Sequence, residues 1–387
     1  MSVPLDRLYN FLQDICNQDV LIYRFLPHGS RKIEDCKSLF PLWKQGKDLK
    51  QIKMVCHDQE TLCSKDYWPK FNSKHNAQTL VYPVLNKVVQ EIAVEYHDYM
   101  LLLHSEMQSA DVEWFEQNGT VGVYWWSHAI IARDWFRYAS IDTSLTNLKT
   151  PVRDFLIYNR AWTGIREYRI KFAELVIDSN LQEYCQMTFN PEDNGKHWLN
   201  HEFVNSTFCP VRKDLDQHFC STTASAIASA DYNNLDYIKT AIEVVLETVF
   251  DDTKWHLTEK TLRPIACGHP FILVSTPGIL KYLKRYGFKT FDQYFDESYD
   301  NISDPLKRLE AIVKLMSKLA NLSVAQKQQL YKDIAPICEY NKRRFFSQEF
   351  FDQVIAELKT NFDHGYSFIQ LADSHKHYER FQRINCV

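Results

Sequence analysis

Short apolar runs, each closed by polar or ionisable residues, recur along the chain and alternate with segments whose apolar positions fall three to four apart. Residues 20–25 (VLIYRF) stop at Pro27-His28-Gly29, residues 52–56 (IKMVC) at His57-Asp58-Gln59-Glu60, and residues 99–103 at His104-Ser105-Glu106. Residues 123–126 end at Ser127-His128, and residues 154–158 at the loop Asn159-Arg160-Ala161-Trp162-Thr163-Gly164. Runs of this length and composition predict strands, with a turn over residues 119–122 before the fourth. Helical spacing predicts helices over residues 111–117, 129–139 and 166–177, and again over 238–249 through Ile238, Ala241, Ile242, Val245, Leu246 and Val249. Further helices are expected over residues 282–291, 304–319, 323–340 and 350–358. Residues 180–216 read mostly as loop.

Strands alternating with helices on both sides of a linker at residues 145–151 define an α/β chain of two Rossmann-like domains. The expected division is residues 1–150, residues 151–345, and a helical tail over 346–387. In open α/β sheets, ligands bind beyond the carboxyl ends of the strands. His57, Asp58, Glu60, Glu106 and His128 all follow predicted strands and are therefore candidate site residues, although a helix cap or a turn accounts for each one singly.

The stretch over residues 255–278, WHLTEKTLRPIACGHPFILVSTPG, concentrates charge and turn formers between two apolar elements. Thr258 suits a helix N-cap and Glu259 a first turn, while Lys260 adds a full positive charge beside the unpaired N–H groups of a helix start. A phosphate can be held in such a place. Pro264 implies a kink or a restart, and residues 271–274 form a buried strand bounded by Gly268, Pro270, Pro277 and Gly278. A capped surface helix followed by a core strand explains the same residues without a ligand.

Composition narrows the classes. The chain of 387 residues is 45% hydrophobic, 24% charged and 14% aromatic, ordinary for a globular protein apart from the aromatic excess. Its ten cysteines include no CxxC and no Cys/His pairing at zinc spacing, so no structural metal is expected. The N-terminal residues lack a basic start followed by an apolar core, and no apolar run approaches a membrane span, so a cytoplasmic protein without a membrane partner is expected. The net charge of −4 hides a basic stretch over residues 31–74, with ten Lys/Arg against six Asp/Glu, and an acidic one over residues 91–116. These are either solvated faces or, for the basic stretch, a lip for a polyanion. No GxGxxG, P-loop or GxSxG motif occurs, which removes dinucleotide dehydrogenases, P-loop kinases and α/β-hydrolases.

The Thr258-Glu259-Lys260 element, opening a helix ahead of an apolar strand, resembles the nucleotide-sugar motif of fucosyltransferase-like glycosyltransferases of the two-Rossmann-domain (GT-B) type. The phrases CHDQE at 56–60, YWWSHAIIARDWFRYA at 124–139 and FLIYNRAWTGIREYRIKF at 155–172 also resemble proteins of bacteriophages and marine bacteria. The resemblance implies two domains facing a cleft, a nucleotide-sugar donor in the second domain, an acceptor in the first, a C-terminal tail crossing back to the first domain, and no metal or other cofactor. It implies a hexosyl- or pentosyltransferase with Arg160, Arg166, Thr258, Glu259 and Lys260 on the donor. His57, Glu106 and His128 then belong to the acceptor side, with Asp58, or failing it Glu60, as general base. For a phage-encoded enzyme working in the host cytoplasm, the favoured acceptor is 5-hydroxymethylcytosine in double-stranded DNA, with Trp43 and Trp68 available to support an extruded base. Transfer to a glycan or protein, or a non-catalytic nucleotide-binding role, are the alternatives.

Overall fold

The computed structural model describes residues 3, 7–16, 20–24, 52–57, 61–62, 100–117, 120–146, 151–193, 195–219 and 230–384. Asp58, Glu60, Trp43, Trp68 and most of the basic stretch over residues 31–74 lie outside them. By packing, the chain divides into two compact units, Val3–Ser127 with Asp352–Val387, and His128–Phe351.

In the N-terminal unit α1 (Leu8–Ile15) precedes four parallel strands, β1 (Val20–Arg24), β2 (Ile52–His57), β3 (Met100–His104) and β4 (Thr120–Tyr124), paired in sequence order. Strand β3 is buried at every position, which is why it reads as an unbroken apolar run. Helix α2 (Ala110–Gln117) joins β3 to β4. The fourth strand starts at Thr120, not at Val123, and takes in the glycine that the sequence assigns to a turn. A Cβ at Gly122 would lie 2.7 Å from Glu116 Oε1 and 3.0 Å from His104 Nε2, so both side chains lie close over the strand there. Trp125 and Trp126 are buried just past the strand, where Trp125 N–H donates to His104 O at 2.8 Å.

The helix expected over residues 350–358 is part of a far longer one, Gln348–Ile384. Gly365 does not break it, since a Cβ at this position would lie 3.0 Å from Leu101 and 3.3 Å from Val121, so the glycine lets the helix backbone approach the sheet. Asn361 Nδ2 also donates to Tyr124 O at 2.9 Å.

The second unit carries α3 (Ser127–Trp135), β5 (Arg153–Asn159), α4 (Tyr168–Asp178), β6 (Cys185–Phe189), the small hairpin β7 (Glu192–Asp193) and β8 (Lys196–His197), and α5 (Asn234–Lys239). There follow β9 (Thr240–Leu246), α6 (Glu259–Ala266), β10 (Phe271–Val274), α7 (Ile279–Arg285), α8 (Pro305–Ala320) and α9 (Val324–Phe346). Strands pair in parallel in the order β10-β9-β5-β6. From β5 the chain moves outward one way through α4 to β6, then returns to the far side of β5 and moves the other way through β9 and α6 to β10. Right-handed crossovers in opposite directions place α4 and α6 on opposite faces of the sheet. In keeping with that, α4 packs on α8 and α6 on α9.

Residues 238–249 are not one helix, since α5 ends at Lys239. Thr240–Leu246 is β9, central in the sheet and buried at all seven positions. A strand covered on both faces is apolar at successive positions, and such a run contains the three-to-four spacing of a helix by accident. The helix expected over 282–291 instead spans Ile279–Arg285, ended by Gly287 in the left-handed region at φ 81°. The one expected over 129–139 stops at Trp135 and gives way to a 3₁₀ turn, Arg137–Ser140. Among the described residues no helix is long and apolar enough to cross a membrane.

Candidate functional site

A doubly wound sheet has one place where adjacent strands send their connections to opposite faces, and ligands of such folds bind there, beyond the carboxyl ends. In the second unit that place is between β5 and β9. The loop after β5 carries Arg160 and Arg166, and the segment after β9 leads to Thr258, Glu259 and Lys260. The five residues expected on a donor therefore belong to the two loops that flank one switch point.

Each loop is held in shape from within. Asp193 Oδ2, in the β7–β8 hairpin, accepts from Trp162 N at 2.9 Å, Thr163 N at 2.8 Å and Thr163 Oγ1 at 2.8 Å, while Asn190 Nδ2 donates to Arg160 O at 3.1 Å. Gly164, at φ 69°, supplies the left-handed turn into α4. The side chains of Arg160 and Arg166 are half-buried. Arg169, 2% exposed, ties the two loops together. Its Nη1 donates to Ala161 O at 2.6 Å, and its Nη2 to Leu246 O at 2.6 Å and Glu247 O at 2.9 Å. Burial lowers its pKa, with Tyr168 acting in the other direction. Tyr168 Oη adds a hydrogen bond to Glu247 O at 2.5 Å.

Helix α6 is short and closed at both ends by its own sequence. Thr258 is its N-cap, with Oγ1 accepting from Lys260 N at 3.3 Å. At the other end His269 N donates to Pro264 O and Gly268 N to Ile265 O, with Gly268 left-handed at φ 64°. The helix runs through Pro264 without a restart and ends two residues later at Ala266. Arg263 anchors it to β9. The Arg263 guanidinium lies 2.7 Å from Glu243 Oε1 and donates to Tyr237 Oη at 2.9 Å, over the Tyr158 ring.

At the start of α6, Lys260 Nζ lies 2.8 Å from Glu259 Oε1, 3.3 Å from Thr248 Oγ1 and 3.4 Å from Thr258 Oγ1, with a quarter of its side chain exposed. Glu259 is buried, and its Oε2 lies 3.4 Å from His128 Nδ1, an ion-pair distance without hydrogen-bond alignment. Burial by itself raises the Glu259 carboxyl, but Lys260 and His128 outweigh it and hold the group well below the usual carboxylate range. The His128 ring meets His256 edge-on, centroids 5.4 Å apart. His128, expected from its position after a strand, thus lies against Glu259, one of the residues expected on a donor.

The other acceptor-side candidates belong to the N-terminal unit. Glu106 is buried, with Oε1 accepting from Leu62 N at 2.6 Å and Oε2 from Ser109 Oγ at 2.5 Å, so its carboxylate already secures two backbone segments. His57 closes β2 in register with His104.

Glu247 went unnoticed in the sequence. It follows β9 directly, is 0% exposed, and accepts from Thr248 N, Thr258 N, Thr258 Oγ1, Thr261 N and Thr261 Oγ1. The rule that flagged Asp58 and Glu106, an ionisable residue just after an apolar strand, selects it as soon as residues 240–246 are read as a strand. Among the described residues no group of three His, Cys, Asp or Glu is arranged to hold a metal ion. Compared with models of known protein families and with curated proteins, the chain matches none.

Proposed function

We propose that this chain is a glycosyltransferase that takes its sugar from a nucleotide-sugar held at the switch point of the second unit. The observation that carries the reading is the grouping of Lys260, Glu259 and His128 at the start of α6, beyond the carboxyl end of β9, with the Arg160 loop on the other side of the same switch point.

In the reaction, the acceptor oxygen bonds to the anomeric carbon, the bond from that carbon to the diphosphate oxygen breaks, and the acceptor proton passes to a base. The nucleoside diphosphate leaves with an added negative charge. Fixed cations in a partly buried setting stabilise that charge. Lys260 serves in this role, with Arg160 and Arg166 contributing from the β5 loop through guanidinium geometry suited to phosphate oxygens. Glu259 is an acceptor for hydroxyls of the donor ribose or sugar. The base is Asp58, or Glu60 two residues on, both following β2 of the N-terminal unit. The acceptor is a hydroxyl, for which 5-hydroxymethylcytosine in DNA is the leading choice, consistent with the basic composition of residues 31–74.

The test is incubation with a panel of nucleotide-sugars, with hydroxymethylcytosine DNA, unmodified DNA, or glycan and peptide acceptors, followed by mass analysis. One hexose or pentose added to the modified DNA supports the whole proposal. Addition only to a glycan or peptide keeps the activity and replaces the acceptor. No transfer and no donor consumption with any member of the panel refutes it.

A further inference from the structure

We propose that Glu247 is the positioning residue of the donor site: its buried carboxylate clamps the first turn of α6 and occupies backbone N–H groups there, so donor phosphate is read by side-chain cations and not by helix amides. This rests on the donor reading given above.

The Oε1 atom of Glu247 accepts from Thr258 N at 3.1 Å, Thr261 N at 3.3 Å and Thr261 Oγ1 at 2.5 Å. Its Oε2 accepts from Thr258 Oγ1 at 2.7 Å and Thr248 N at 3.1 Å. Four of these five bonds come from Thr258 and Thr261, the cap and the third residue of the helix. An anion belongs at such a place, where unpaired N–H groups and the positive end of the helix dipole converge. Here the protein supplies the anion itself. With Thr258 N and Thr261 N given to Glu247 and Lys260 N given to Thr258 Oγ1, the helix start is largely saturated from inside.

The clamp also sets Lys260. A hydroxyl has one hydrogen to give and two lone pairs to receive. Because Thr258 Oγ1 gives its hydrogen to Glu247, its lone pairs are turned to Lys260 N and Lys260 Nζ. Thr248, whose N–H also goes to Glu247, presents the second hydroxyl to Lys260 Nζ. The ammonium and the neighbouring Glu259 are thereby placed before any ligand arrives, which is what a charge-stabilising site requires.

Calorimetric titration with UDP, GDP and ADP, together with amide hydrogen exchange, tests this in the full chain. Glu247→Gln keeps the volume but turns one acceptor into a donor facing other donors. Its affinity for whichever nucleotide binds the parent should fall by about 10-fold or more, the span of one charge-assisted hydrogen bond. Lys260→Ala should lose a similar factor. Because Glu247 acts through Lys260, the double variant should bind within about 2-fold of Lys260→Ala alone, as expected of residues that work as one unit. Exchange should quicken at the amides of residues 258 and 261 and stay at the parent rate in β5. Thr261→Val, which removes one arm of the clamp, gives the same readings in milder form if Glu247→Gln does not fold. Parental affinity in Glu247→Gln or Thr261→Val despite faster exchange at those amides overturns the proposal, as do losses that multiply in the double variant. If the parent binds none of the three nucleotides, or Lys260→Ala binds as the parent does, the donor reading itself fails and the positioning role falls with it.

Discussion

Replacing Arg169 with Met should destabilise the second unit by about 2–4 kcal/mol. The guanidinium is buried and makes three hydrogen bonds to carbonyl oxygens, at 2.6, 2.6 and 2.9 Å. Bonds from a charged donor contribute roughly 1.5–3 kcal/mol each, so the gross loss is about 5–9 kcal/mol. Against this stands the desolvation of a guanidinium, an effective cost of several kcal/mol in a protein interior, which the Met variant no longer bears. Burial has already lowered the group's pKa, the mark of that cost. Glu247 O keeps its bond from Tyr168, whereas Ala161 O loses the bond that holds the β5 loop. Urea unfolding followed by tryptophan fluorescence reads the change. With a slope of about 3 kcal/mol/M, the midpoint should fall by about 1 M. Arg169→Lys should fare no better than Met to within about 1 kcal/mol, since a single ammonium does not reproduce the planar fork that spans Ala161 on one loop and Leu246 on the next strand. An unchanged or higher midpoint in Arg169→Met would mean that desolvation cancels the three bonds. Full stability in Arg169→Lys would mean that charge, not fork geometry, joins the loops.

Breaking the Glu243–Arg263 pair by Arg263→Met leaves a buried carboxylate and should cost about 3–5 kcal/mol, most of which Glu243→Leu in the same chain restores; a double variant as unstable as the single one contradicts this. Glu259 has a folded pKa held well below its ordinary value of 4.5 by Lys260 and His128 against the opposing effect of burial, so its contribution to stability is present above pH 4.5 and is lost as pH falls through the folded value. Glu259→Gln should accordingly be less stable than the parent at pH 7, with a difference that shrinks in acid below about pH 4; a gap that is constant with pH in thermal melts counts against the ion pairs. Asp58→Asn should lower turnover by roughly two to four orders of magnitude while leaving donor affinity near the parent value. Should turnover survive there and collapse in Glu60→Gln, the base is Glu60.

Much of the fold was legible because local chemistry and tertiary setting agree. Thr258 caps α6 as its side chain allows, Asp304 and Ser323 cap α8 and α9, and residues 271–274 form the buried strand their composition predicts. The reading failed where burial on both faces erased the period of two. β9 carries Ala241, Ile242, Val245 and Leu246 at spacings that also fit a helix, and calling it one moved Glu247 from a strand end, where an ionisable residue draws notice, into a helix interior, where it does not. Glycines misled in both directions. Gly122 reads as part of a turn but lies inside β4, whereas Gly287 falls within a stretch read as helix and is a true stop. Arg169 was invisible for another reason. Nothing in sequence separates an arginine on a solvated helix face from one whose guanidinium turns inward to three carbonyls.

The central claim, that a nucleotide-sugar is held at the switch point through Lys260, is tested most directly by calorimetric titration of the parent and Lys260→Ala with the nucleoside diphosphates of the common sugar donors. One of them should bind the parent at a single site, and Lys260→Ala, in protein that remains folded, should weaken it by about 10-fold or more. Equal affinity in the two proteins, or no binding of any diphosphate to the parent, would contradict it.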